Sequence, residues 1–235
     1  YRLLLNEEYP GWLHEVKLGA TTVWERWNSL DENGRISSTG MNSLNHYSYG
    51  AVLEWIFRHV AGIDVTEQGP GGKMMRISPK VDHKLGSASA VYDSASGCYR
   101  CGWQIENGDQ ITVTITVPFG AKAQVILPYA PDSVYHDTDN PLFETVENGI
   151  CCVKAGQYTV TYKAASPLKK SYSVDSTLED LLAEPAIRAF LSNMMEVDMI
   201  PDLAYGLTLR QAAEAFAGGV SAEQAQRLNV LLEEF

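Results

Sequence analysis

The spacing of hydrophobic positions changes along the chain, and the changes divide it into three stretches. Trp12, Leu13 and Val16 mark a short amphipathic helix that Gly19 stops. Residues 21–27 are β-branched and aromatic, which predicts an extended strand with Glu25 and Trp27 on one face and Trp24 and Arg26 on the other. From Asn45 the pattern Ala51, Val52, Trp55, Ile56, His59, Val60 is helical, and Gly62 ends it. Residues 64–73, containing Gly69-Pro70-Gly71-Gly72, form a boundary, after which the period falls to two. Short runs at 74–77, 88–93, 99–106, 110–117, 123–127, 133–136, 143–146, 150–153 and 158–162 predict an antiparallel β-sandwich. Asn107-Gly108 and Asn148-Gly149 supply hairpin turns.

Helical spacing returns from Ser173, at 177–182, 186–195, 207–217 and 222–232. Asp175, Ser176 or Thr177, Thr208 and Ser221 are candidate N-caps, and Ser221-Ala-Glu-Gln224 has the form of a capping box. Leu178, Leu181, Leu182, Phe190, Leu191, Leu209, Phe216, Leu228, Leu231 and Leu232 are the expected core of these helices. Met194, Met195, Met199 and Ile200 are either filler in that core or an adaptable docking patch, and filler is the plainer reading. The fold class is therefore α+β, with helices over 1–64, a β-sandwich over 65–170 and a small helical domain over 171–235.

Charge and cysteines narrow the function classes. The chain of 235 residues carries 18 Lys plus Arg against 29 Asp plus Glu, net −11, and residues 174–235 hold 11 of the acids with only 3 bases. That balance disfavours nucleic acid. No apolar run approaches the roughly 18 residues of a membrane span. Cys98 and Cys101 have zinc-like spacing, but Cys151 and Cys152 are adjacent and no second Cys-x-x-Cys or His pair completes a tetrahedral site. Reduced strand cysteines are favoured over a disulfide or a metal, so no metal or cofactor is expected and a cytoplasmic location is suggested. In a strand, Cys151 and Cys152 point to opposite faces, so at most one can enter a core. Trp103, Tyr99, Tyr129, Tyr135 and Tyr162 could form a platform for sugar, but strand aromatics more often pack inward. The glycine-rich run at 69–72 lacks the Lys-Ser/Thr ending of a phosphate loop.

The densest chemistry lies in residues 19–50. Glu25 sits between Trp24 and Trp27, and a loop over 28–39 separates it from His46, Tyr47 and Tyr49. Indole faces suit the C–H face of a sugar ring, and low local polarity suits a carboxylate that must take up a proton. On the alternating geometry Trp27 is the pocket wall beside Glu25. The plainer alternative makes Glu25 and Arg26 surface residues and the tryptophans core. His46 lies near a helix N-terminus, where it serves equally as a cap, a core residue or a ligand. His59 reads as structural.

Tyr9-Pro10-Gly11-Trp12-Leu13, Gly19-Ala20-Thr21-Thr22-Val23-Trp24-Glu25-Arg26-Trp27 and Met41-Asn42-Ser43-Leu44-Asn45-His46-Tyr47-Ser48-Tyr49-Gly50, in this order, resemble the bacterial α-L-rhamnosidases of glycoside hydrolase family 78. The resemblance is strong over about sixty residues, weaker over the sandwich, and absent from the last part. It implies that residues 1–64 are the last helices of an (α/α)₆ catalytic barrel. It also implies that Glu25 is the general base of an inverting hydrolase and that His46 hydrogen-bonds the rhamnose, with Trp24 and Trp27 shaping the subsite. The family's general acid belongs to an acidic motif further upstream that this sequence lacks, so the chain is expected to be a C-terminal fragment, inactive by itself on rhamnose-containing glycosides. An inverting enzyme needs two carboxyl groups about 6.5–9.5 Å apart. The alternatives are a barrel glycosidase of other sugar specificity and a non-catalytic carbohydrate-binding or assembly module.

Overall fold

The computed structural model describes residues 1–233 except 32, 39, 68, 138 and 217, and falls into two compact units, Tyr1–Leu168 and Lys169–Phe235. Thr39, the end of the expected loop, and Ala217, the end of the third expected tail helix, lie outside the described residues.

The first unit opens with helix α1 (Trp12–Lys17), which stops where Gly19 turns to φ +86°. Its buried face differs from the expected one: Gly11 and Glu15 are buried, whereas Val16 is 59% exposed. The expected strand over 21–27 does not form. A turn at Arg26 to Ser29 ends the extended run: Ser29 N–H donates to the Arg26 carbonyl (3.1 Å) and Arg26 N–H donates to Ser29 Oγ (3.2 Å). A second helical run follows, a 3₁₀ turn (Ser48–Ala51), helix α2 (Val52–Trp55) and a π turn (Ile56–Val60). His59 is exposed on this run, not set in an apolar face. Gly62 then reverses the chain at φ +82°, where a Cβ would lie 2.2 Å from the Pro79 nitrogen, so only glycine fits.

Among the described residues, nine strands build the sandwich. They are β1 (Ile63–Val65), β2 (Met74–Ile77), β3 (Ser87–Ser94), β4 (Gly97–Glu106), β5 (Gln110–Val117), β6 (Lys122–Val125), β7 (Val146–Glu147), β8 (Ile150–Val153) and β9 (Gly156–Lys163). One sheet has the order β1-β2-β6-β8-β7 and the other β3-β4-β5-β9. Every pairing is antiparallel except β2 with β6. Three strands of the opposite sheet intervene between these two, so the chain re-enters beside β2 running the same way. The alternation in β5 holds: Ile111, Val113, Ile115 and Val117 are all at most 3% exposed. Tyr99, Cys101 and Trp103 enter the same core from β4, and Tyr162 from β9, so these aromatics pack and do not form a sugar platform. Cys151 is buried and Cys152 exposed, as opposite strand faces require, and all four cysteines are free thiols. The Asn107-Gly108 and Asn148-Gly149 pairs all have positive φ, the type I′ geometry of a tight hairpin.

The expected strand over 133–136 is a turn, and of the one over 143–146 only Val146 enters a strand, β7. Residues 132–136 form a 3₁₀ turn after Pro131, and Pro141–Phe143 forms another in which the Asn140 side chain accepts the Leu142 N–H at 3.0 Å. Proline at these starts withholds the donor that a ladder would use. β1 has no counterpart in the expected strands; with three residues it is too short for an alternation to register.

The second unit contains α3 (Leu178–Leu182), α4 (Pro185–Ser192), α5 (Leu209–Phe216) and α6 (Ala222–Leu232). Ser221 and Gln224 form the expected capping box. Thr208 and Gln211 form a second one, Gln211 N–H donating to Thr208 Oγ1 (3.1 Å) and Thr208 N–H to Gln211 Oε1 (3.0 Å). Thr177 caps α3, and the two threonine caps lie back to back: Leu178 N–H donates to the Leu207 carbonyl (2.9 Å) and Leu209 N–H to the Ser176 carbonyl (3.0 Å). Leu178, Leu181, Ile187, Leu191 and Leu232 fill the core, whereas Phe216 (59%) and Leu231 (40%), expected inside, are exposed.

Candidate functional site

Two backbone hydrogen bonds bring the segment that carries Glu25 against the one that carries His46. Glu25 N–H donates to the Ser43 carbonyl (2.9 Å) and His46 N–H to the Val23 carbonyl (2.8 Å). The Thr22 hydroxyl adds a bond to the Leu44 carbonyl. Further along, Ser29 is fully buried; its Oγ donates to Asn42 Oδ1 (2.7 Å) and its carbonyl accepts from Asn42 Nδ2 (2.9 Å), closing the loop between the two segments. Residues eighteen and twenty-three apart in sequence are thus held as neighbouring backbone segments by main-chain bonds, which do not depend on side-chain rotamers.

Glu25 is half-buried. His46 is also half-buried, and its Nδ1 accepts the Ser48 N–H at 3.2 Å. That bond leaves the ring proton on Nε2, which is then a donor suited to a hydroxyl. Tyr47, 87% exposed, stacks on the imidazole with centroids 4.9 Å apart. Trp24 is 3% exposed, so it backs the segment from within and offers no face to a ligand. Trp27 lies parallel to Tyr49 at 3.9 Å and meets the edge of Trp12 at 5.0 Å; Trp12 Nε1 in turn donates to the Tyr49 carbonyl (3.2 Å). One indole face of Trp27 is therefore covered by tyrosine, and the three rings form one rigid cluster that links α1 to the segments of Glu25 and His46.

Glu15 is the residue that sequence reasoning missed. It is 2% exposed, accepts the Trp24 backbone N–H and leaves Oε1 without a partner. Burial pushes its carboxyl above the ordinary value, and the Trp24 bond opposes the shift. The signal was its spacing from Trp12, three residues on, which puts both on one face of α1. A carboxyl whose folded-state pKa is raised favours folding when protonated, and that contribution is lost as pH rises through the folded value. Glu15→Gln should accordingly stabilise the unit at neutral pH by about 1 kcal/mol. The gain should shrink as the pH falls through the ordinary carboxyl value and be gone by about 3, where the carboxyl is protonated in either state. Thermal melts of both proteins across this range check it; a gain that grows toward acid would reverse the sign.

Among the described residues no group of three or more His, Cys, Asp or Glu could hold a metal ion, and no helix is long and apolar enough to cross a membrane.

Residues 1–60 match the bacterial alpha-L-rhamnosidase six-hairpin glycosidase domain, and residues 62–140 match the bacterial alpha-L-rhamnosidase C-terminal domain. An alpha-L-rhamnosidase of Alteromonas sp. (strain LOR) is 38% identical over 160 residues, which is 67% of this chain and 16% of that protein. One from Formosa agariphila is 36% identical over 148 residues, 63% of this chain and 16% of its own length. The crystal structure of the Streptomyces avermitilis alpha-L-rhamnosidase complexed with L-rhamnose superposes with a TM-score of 0.60 at 33% identity, covering 69% of this chain and 16% of that one. The native enzyme of Aspergillus terreus gives a TM-score of 0.55 at 27% identity, over 70% of this chain and 17% of that one. The chain thus spans about a sixth of the length of these relatives.

Proposed function

The chain belongs, through residues 1–60 and 62–140, to the bacterial α-L-rhamnosidase family, and on that premise we propose that it supplies the base side of the active site of an inverting α-L-rhamnosidase. In this reading residues 1–64 complete a helical barrel, residues 65–170 buttress it, and residues 171–235 are an appended helical domain. Glu25 takes the proton of the attacking water as the water adds to the anomeric carbon, and the glycosidic oxygen leaves with a proton from a general acid in the remainder of the barrel. His46 donates from Nε2 to a hydroxyl of the rhamnose, and Tyr47 stacked behind it holds the ring's orientation. Trp27 borders the sugar at its free edge, and Trp24 supports Glu25 from below. Rhamnose-containing glycosides are the substrates, nucleic acid is not a partner, and no metal or cofactor enters the steps assigned here. The four free thiols support a reducing compartment, the cytoplasm.

The observation that supports this reading is the pair of backbone bonds between residues 23–25 and 43–46, which joins the segments that carry Glu25 and His46 inside a glycosidase-domain match. Hydrolysis of p-nitrophenyl α-L-rhamnoside by this chain alone and by the chain joined to its upstream barrel tests it. Turnover is expected only in the joined protein. Turnover by the 235 residues alone would mean that both carboxyl groups of the reaction lie within them.

A further inference from the structure

The helical unit carries an open apolar groove of about 900 Å³, formed by the end of α4, the turns after it, α5 and α6. Its walls include Met194, Met195 and Met199, with Phe216 and Leu231, and these side chains are 39–76% exposed although they are among the most apolar of the unit. They are the same residues whose burial the sequence pattern implies, so the surplus apolar surface is a property of how the four helices pack. Among the described residues the charged side chains on the wall are Glu196 and Arg227, and Arg227 is already bridged to Glu223 at 3.0 Å.

Charge selects what fits. Residues 169–235 hold 11 acids and 5 bases, and four of the bases are engaged: Lys170 with Asp180, Arg188 with Asp198, Arg210 with Asp175 and Arg227 with Glu223. The unit that carries the groove is therefore net acidic, and that charge opposes a fatty acid, an anionic membrane surface or a second copy of this acidic unit. The rest of the chain, with 18 acids and 13 bases, is net acidic as well. A helix is the shape that can lay a continuous apolar stripe into such a groove with its own backbone groups satisfied, and methionine walls adjust to the stripe they meet.

We propose that the groove bounded by Met195, Met199, Phe216 and Leu231 docks an amphipathic helix whose polar face is rich in lysine and arginine, making the helical unit a tether to a basic partner protein. The inference does not depend on the rhamnosidase reading, since it uses no residue of that site.

The test is a calorimetric titration of the full chain with a short synthetic peptide of leucine and lysine at helical spacing, and with the same peptide carrying glutamate for lysine. The lysine peptide should bind saturably, one per chain, and the glutamate peptide should bind at least about tenfold more weakly. Met199→Glu, at a position 76% exposed, adds negative charge without removing buried volume; it should weaken the lysine peptide by about tenfold or more if the apolar wall is used. Unchanged or tighter binding in Met199→Glu would show adsorption to surface charge and overturn the proposal, as would equal affinity for both peptides or no binding of either. Sedimentation that finds a dimer dispersed by Met199→Glu would assign the groove to a second copy and overturn it equally. Unaltered far-ultraviolet dichroism of the variant excludes unfolding as the cause.

Discussion

Glu25→Gln should lower hydrolysis of p-nitrophenyl α-L-rhamnoside by the barrel-containing protein about 10²- to 10⁴-fold, a loss of roughly 3–5 kcal/mol of transition-state stabilisation. The amide keeps the shape and one hydrogen-bond acceptor but cannot take up a proton. The fall should therefore appear in kcat with KM little changed, because an interaction made only in the transition state has been removed. Azide gives the reading a second handle, since it attacks without needing a base and should restore turnover in the variant. The backbone bond from Glu25 N–H to the Ser43 carbonyl is untouched by the substitution, so the segment should keep its place. A variant within tenfold of the parent would remove Glu25 from the role.

Trp103→Ala should be the most damaging single change to the first unit. The indole is 3% exposed in the sandwich core, and its Nε1 donates to the Val60 carbonyl at 2.7 Å, the last residue of the helical run. Removing the ring costs about 3–5 kcal/mol in lost contacts and cavity. The Val60 carbonyl, 2% exposed as a residue, also loses its side-chain donor, which adds about 1–3 kcal/mol where no water replaces it. At about 2–4 °C per kcal/mol for a chain of this size, the melting temperature should fall by roughly 10 °C or more. Trp103→Phe separates the two contributions, since it retains most of the apolar volume and loses the donor; its fall should be about a third of that of alanine. Equal falls in both variants would put the whole effect in the hydrogen bond, and a fall of less than about 3 °C in alanine would mean that the ring packs less completely than the structure shows.

The parts of the fold legible in the sequence are those where a local period and a local turn agree. β5 is the plainest case: its alternating Ile, Thr and Val residues allow only one face to be buried, and Asn107-Gly108 before it can adopt the positive φ of a tight turn. The caps at Thr208 and Ser221 are equally readable, since each satisfies donors within three residues of itself, whereas the sequence leaves Thr177 open against Asp175 and Ser176. Where proline begins a segment the same reasoning misled, and residues 133–136 became a turn although their side chains suit a strand. The candidate site divides along the same line. Glu25, His46, Trp24 and Trp27 could be named from their motifs, but the burial of Trp24, the covering of Trp27 by Tyr49 and the buried carboxyl of Glu15 depend on residues distant in sequence.

By itself the sequence determined the inward set of the sandwich strands, the helix caps and the family to which residues 1–60 and 62–140 belong. Each of these is encoded by neighbours a few residues apart, where propensity, turn chemistry and hydrogen bonding act without the rest of the fold. The tertiary structure alone decided that β2 and β6 run parallel, that residues 21–27 bond to 43–46 and form no sheet, and that the methionines of the helical unit line an open groove. Those outcomes turn on which apolar surfaces find partners once the elements assemble, and burial is a property of the whole packing, not of the local chain.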